Sequence, residues 1–199
     1  MNILHKRTLN IDVESFSYQP IDLGTSKYTS ESELLLTAFS FDRKQPSVID
    51  IAQGEDVPDY FVEALLDDRV IKKAWNAAFE IAQLERHFNI SMVLSQWRCT
   101  MVRSARCGYP LSLSDACKAI GMADGKDKAG KELISLFCVP QKITKRNPNE
   151  RIFPWDRPDR WEAFKRYNIQ DVVVEMRADE FFSLYPEQPE FEDKMYVLD

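Results

Sequence analysis

Asp12 and Glu14 stand two residues apart in TLNIDVESFS, where apolar Leu9, Ile11 and Val13 alternate with polar Asn10, Asp12 and Glu14. A period of two is the signature of a half-buried strand, and it puts both carboxylates on one face. A carboxylate in mid-strand that faces inward is costly unless it is paired or binds a cation. The fold of this chain must therefore bring a partner to that face.

Two distant segments carry further acidic groups. Glu80 lies in KKAWNAAFEIAQLER, and Asp171 follows Tyr167 by four residues in YNIQD, so those two share a helix face about one turn apart. Taken singly, each is ordinary. A DxE pair is more often two solvated charges, NAAFE reads as packing by Phe79 beside an exposed Glu80, and YxxxD is common in helices. Taken together, in this order, they predict four carboxylates gathered at one point, which only bound cations make tolerable. Hard divalent ions such as Mg2+ and Mn2+ prefer oxygen ligands. Two of them roughly 3.5–4 Å apart are the means by which enzymes hydrolyse phosphodiesters.

The rest of the chain predicts what carries these segments. ELLLTAFSF (33–41) and SVIDIAQ (47–53) read as strands joined by the turn DRKQP, which makes an antiparallel opening of three strands after the loop 19–32. DVPDYFVEALLDD (56–68) reads as a helix, VIKKAW (70–75) as a fourth strand, and 77–88 as a helix with Phe79, Ala82, Leu84 and Phe88 in step. Helices are expected at 100–107, 112–120 and 128–137, an extended loop or flap at 140–160, and a long helix from Arg160 to Leu184. Strands first, then a strand–helix alternation, then helices, imply an α/β fold: a mixed sheet of about five strands flanked by helices.

Bulk properties exclude some classes. A chain of 199 residues is one domain of ordinary size. Its net charge of −6 argues against gripping long nucleic acid by charge alone, but not against holding a few nucleotides at a metal site. Cys99, Cys107, Cys117 and Cys138 form no CxxC pair, and with only His5 and His87 beside them a structural zinc site is not expected. No apolar run approaches a membrane span, and MNILHKRTLN lacks the core of a signal peptide, so a cytoplasmic location is expected.

The three acidic segments resemble, in order, the motifs of the DEDD exonuclease superfamily in its tyrosine subclass: LNIDVES the first, KKAWNAAFEIAQLER the second, YNIQD the third. WRCTMVRSA, PLSLSDACKAIG and KDKAGKELISLF also resemble the exonuclease region of family A DNA polymerases of phages and prophages, so the likeness covers nearly the whole chain. It implies a ribonuclease H-like fold and a 3′→5′ exonuclease acting on DNA ends with two Mg2+ or Mn2+ ions. By this resemblance Asp12 bridges both ions, Glu14 and Asp171 hold the one beside the attacking water, and Tyr167 orients that water. Glu80 stands where the superfamily usually has Asp, and the extra methylene leaves open whether it meets the second ion directly or through water. Ser15, Asn76 and Phe79 are implied to meet the terminal nucleotide. No histidine falls near YNIQD, since Arg166 occupies the position that the histidine subclass would use.

Expected partners are a single-stranded DNA 3′ end and a polymerase region of the same longer chain, with no membrane. On that reading residues 1–185 form the exonuclease domain, and 186–199 lead toward a polymerase region absent from this sequence. A basic edge of Arg98, Arg103, Arg106, Lys126, Lys128 and Lys131, with Trp97, offers phosphate and stacking contacts; Arg103 and Lys128 are the candidates carried forward. Trp75, Trp155 and Trp161 read as core or flap anchors rather than base platforms. Two alternatives stand: an RNA-trimming enzyme with the same site, and a catalytically weakened exonuclease-like binding module.

Overall fold

A computed structural model describes residues 7–122, 128–144 and 148–186, with the backbone alone at 128 and 129. The alternating segment forms β1 (Arg7–Phe16), whose odd residues Leu9, Ile11 and Val13 enter one core. β1 is the centre of a five-stranded sheet. On one side it pairs antiparallel with β2 (Glu33–Phe41), which pairs antiparallel with β3 (Ser47–Asp50); on the other it pairs parallel with β4 (Val70–Ala74), followed by parallel β5 (Trp97–Cys99). The mixed sheet and its antiparallel opening are as the sequence predicts.

Helices cover both faces. α2 (Asp59–Leu66) and α3 (Ala77–Phe88) pack Phe61, Leu65 and Leu84 onto the odd face of β1. The opposite face receives α6 (Lys128–Phe137) and the 25-residue α7 (Pro158–Phe182), which bury Phe137, Trp161 and Phe164 against Phe16, Leu35 and Leu36. The buried stripe of α7 runs Trp161, Phe164, Asn168, Val172, Glu175, Asp179, Phe182 at three- and four-residue steps. Its middle is polar, and that polar stretch lies over the even face of β1. Trp161 Nε1 donates to Asp50 Oδ2 at 2.8 Å and pins the start of α7 to the end of β3.

Several boundaries differ from expectation. The stretch 19–32 holds a short helix, α1 (Thr25–Ser30), whose buried Tyr28 and Thr29 supply the tertiary contact that its polar composition hides. The third strand stops at Asp50, because the Asp50 side chain caps a 3₁₀ turn that ends at Gly54 in the left-handed region. α2 begins at Asp59 rather than Asp56, since Pro58 holds the preceding backbone extended. β5 was not predicted: three residues are too few for a period to show. Two further helices, α4 (Thr100–Arg106) and α5 (Leu113–Ala119), complete the outer layer. No helix among the described residues is long and apolar enough to cross a membrane. Beyond Pro186 the expected C-terminal segment lies outside the described residues, as do 145–147 of the expected flap.

Candidate metal centre

β1 and β4 pair only from Arg7 to Asn10, so Asp12 and Glu14 lie beyond the point where these two strands part. α3 starts just past the end of β4 and aims Glu80, in its first turn, at that gap. α7 closes it from the other side. One carboxylate oxygen each from Asp12, Glu14 and Asp171 comes within 4.8 Å of the others. Glu80 does not join that trio, yet it is close enough for its charge to raise both Asp12 and Glu14.

Electrostatics records the crowding. Burial, then the charges of Asp171, Glu14 and Glu80, push the Asp12 carboxyl well above its ordinary range, against a lowering hydrogen bond from Asn168. Glu14 is raised by burial and then by Asp171. Glu80 is pushed up to about 8, by burial first and by Glu175 to a smaller degree, and its Oε2 is buried with no hydrogen-bond partner. A buried, unpartnered carboxylate oxygen beside three converging carboxylates makes a set of hard oxygen donors. The residues fit a divalent ion of the Mg2+ or Mn2+ kind.

Tyr167 hydrogen-bonds Asp171 one turn along α7, and burial with the surrounding carboxylates raises its phenol far above 10. It stays protonated at any working pH. Its ring is held by Gly130 of α6: a β-carbon there would sit 2.2 Å from Tyr167 Cε2 and 2.7 Å from Cδ2. Only glycine lets the two helices approach so closely. Gly130→Ala is expected to cost about 1–3 kcal/mol of stability through overpacking. Thermal unfolding should show that cost disappear in a Tyr167→Ala background; an equal cost in both backgrounds would contradict the contact.

Three supporting residues were not foreseen. Asn168 is fully buried, and its Nδ2 donates to Asp12 Oδ2 at 2.6 Å and to the Asp12 carbonyl at 3.2 Å. Its place three residues before Asp171 was the available signal. Cys138 Sγ donates to Glu14 Oε2 at 3.7 Å. Glu175 accepts from Asn10 Nδ2 at 2.7 Å and from the Thr100 hydroxyl, so β1 and α4 fix the turn of α7 that follows Asp171.

A cleft of about 390 Å³ opens beside the carboxylates, with Glu14, Ser15, Tyr18, Tyr28, Asn76 and Phe79 among its walls. Ser15, Asn76 and Phe79 therefore all line one cavity. The Ser15 hydroxyl and carbonyl are engaged with the Tyr28 hydroxyl, another wall of the cleft, at 3.3 and 2.8 Å. The basic edge needs correction. Arg103 is only 11% exposed and lies 3.3 Å from Asp179, which also draws in Lys73 at 2.7 Å, because α7 buries an acidic residue there. Arg103 is thus an internal tie between α4 and α7. Trp97 is core, Arg106 donates to the Pro186 carbonyl at 2.9 Å, and the side chain of Lys128 lies outside the described residues.

No family model matches the chain. Over 199 residues it is 42% identical to a DNA polymerase of Bacillus phage SP02, an alignment taking in 97% of this chain and 30% of that polymerase. The chain therefore spans about 30% of the length of the curated relative it matches. Among solved structures, a nuclease in its apo form overlaps at a TM-score of 0.56 and 19% identity, over 96% of this chain and 80% of that one. The fold is ribonuclease H-like. A lower overlap, TM-score 0.46 at 16% identity over 96% of this chain and 84% of that one, is to NrnC of Brucella melitensis, too weak to bear on the site.

Proposed function

We propose that this chain is a divalent-metal-dependent 3′→5′ exodeoxyribonuclease, a proofreading domain of a phage-type family A DNA polymerase, that releases nucleoside 5′-monophosphates from single-stranded ends. The observation that carries the reading is the convergence of Asp12, Glu14 and Asp171 from β1 and α7, with Tyr167 hydrogen-bonded to one of them. The nuclease fold and the kinship with a phage polymerase support it.

In this reading Asp12, Glu14 and Asp171 hold the ions, with Glu80 facing the same space from α3. Two divalent cations bound there would activate water and stabilise the departing 3′ oxygen. Tyr167 presents a protonated hydroxyl beside Asp171, so it positions the attacking water rather than removing its proton. Asn168 holds the Asp12 carboxylate in one orientation. The cleft beside Glu14 takes the terminal nucleoside, with the Phe79 and Tyr28 rings, 5.7 Å apart, as its flat apolar walls.

The test uses matched DNA and RNA single strands, labelled at the 5′ end, with Mn2+. The expected result is a ladder shortening from the 3′ end of DNA, with nucleoside 5′-monophosphates as product. Faster loss of the RNA strand would make the chain an RNA-trimming enzyme. Both strands left intact would make it a binding module.

A further inference from the structure

Resting on the function proposed above, we propose that Trp155, stacked on Phe153, is an external platform on which an upstream base of the single strand lies while its terminal nucleotide occupies the cleft beside Glu14. Trp155 is unlike the other tryptophans. Trp97 and Trp161 are core, and Trp75 is tied by its Nε1 to the Leu111 carbonyl at 2.9 Å, whereas Trp155 is 64% exposed. Of the core or flap roles expected from the sequence, its exposure excludes the core. Phe153 lies beneath it, ring on ring, with centroids 4.9 Å apart and planes 4° from parallel.

The stack does not end there. The Arg151 guanidinium lies between two rings, 4.8 Å from the centroid of Phe153 and 4.3 Å from that of Phe16. Arg151 is also held by Glu33 at 2.7 Å. Phe16 closes β1, the strand that bears Asp12 and Glu14, and meets Tyr18 edge to face at 5.0 Å. Tyr18 is 53% exposed and lines the cleft. Ring and guanidinium contacts through the buried Phe16 thus tie Tyr18, at the mouth of the cleft, to Trp155, and leave these two rings exposed at either end.

The Trp155 end is already rigid. The Phe153 N–H donates to Asp156 Oδ2 at 2.8 Å, Pro154 starts the 3₁₀ turn that carries Trp155, and this turn leads directly into α7. A prearranged, exposed aromatic face loses little entropy on binding. An unpaired base suits it, because every base has a π face and stacking tolerates any sequence. The packed link to the cleft favours nucleic acid over a protein partner, and Arg157, two residues after Trp155, is exposed beside it in the chain.

The experiment compares the whole chain with Trp155→Ala and Trp155→Phe, in Mn2+, on a thymidine dinucleotide and on an octamer with 2-aminopurine at successive internal positions. Wild type should prefer the octamer in kcat/KM, and one or more internal positions should lose fluorescence on binding. Trp155→Ala should cut that preference by about tenfold, within the range known for loss of one stacking contact, mainly through KM. It should also abolish the quenching, while Trp155→Phe keeps most of both. Equal octamer preference and quenching in wild type and Trp155→Ala would overturn the platform and leave Trp155 to contact protein. Because wild-type cleavage of the dinucleotide is read in the same assay, its absence identifies failure of the nuclease reading itself.

Discussion

Asp12→Asn should reduce metal-dependent cleavage to the limit of detection while raising the thermal midpoint of the metal-free protein. The two effects share a cause. Asp12 stands between Asp171, Glu14 and Glu80 in a desolvated gap, so its charge is opposed by burial and by all three neighbours. The amide removes that charge, retains a carbonyl oxygen to accept the Asn168 hydrogen bond, and takes away a carboxylate ligand at the point where β1 and α7 meet. A residue kept only for structure would lose stability on replacement. Parallel assays of cleavage and of melting in EDTA separate the cases. Retained cleavage would remove Asp12 from the chemistry, and a lowered midpoint would refute the crowding.

The metal-free protein should also lose stability as pH rises from about 5 to 8, and divalent cation should reverse this. A carboxyl whose folded pKa lies above its unfolded one contributes stability that is complete below the unfolded value and lost as pH climbs through the folded value. For Glu80 that window runs from 4.5 to about 8, and for Glu175 from 4.5 to about 7. Asp12 and Glu14 shift in the same direction. His87, lowered by burial, acts oppositely near its ordinary 6.5, as one group against four. Ligands must lose their protons to bind metal, so the stabilisation by Mn2+ should grow across the same interval. Chemical denaturation at several pH values, with EDTA and with Mn2+, measures both trends. A metal-free stability that rises toward pH 8 would contradict the account.

These predictions rest on features of differing visibility in the sequence. β1 was legible because Leu9, Ile11 and Val13 alternate strictly, and α3 because its apolar residues keep helical step. α7 was legible from Trp161, Phe164, Tyr167, Ile169, Val172 and Met176 at helical spacing. The polar residues buried among them, Asn168, Glu175 and Asp179, carry no apolar signal, and their burial shows only once β1 and α4 are laid against the helix. The same polar stripe explains the misreading of Arg103, whose partner Asp179 is remote in sequence. Gly130 carries no periodic or motif signal at all. Its importance exists only in the closeness of α6 to the Tyr167 ring. Trp155, expected as a core or flap anchor, is exposed rather than core, and its stacking on Phe153 leaves no periodic signal in a loop.

Anomalous diffraction from crystals soaked in Mn2+ bears most directly on the central claim. The account predicts a peak within ligand distance of Asp12, Glu14 and Asp171, and its disappearance in Asp12→Asn crystals. A second peak on the Glu80 side would show that Glu80 also takes part. Carboxylates found in the positions described here, with no manganese between them at saturating concentration, would contradict it.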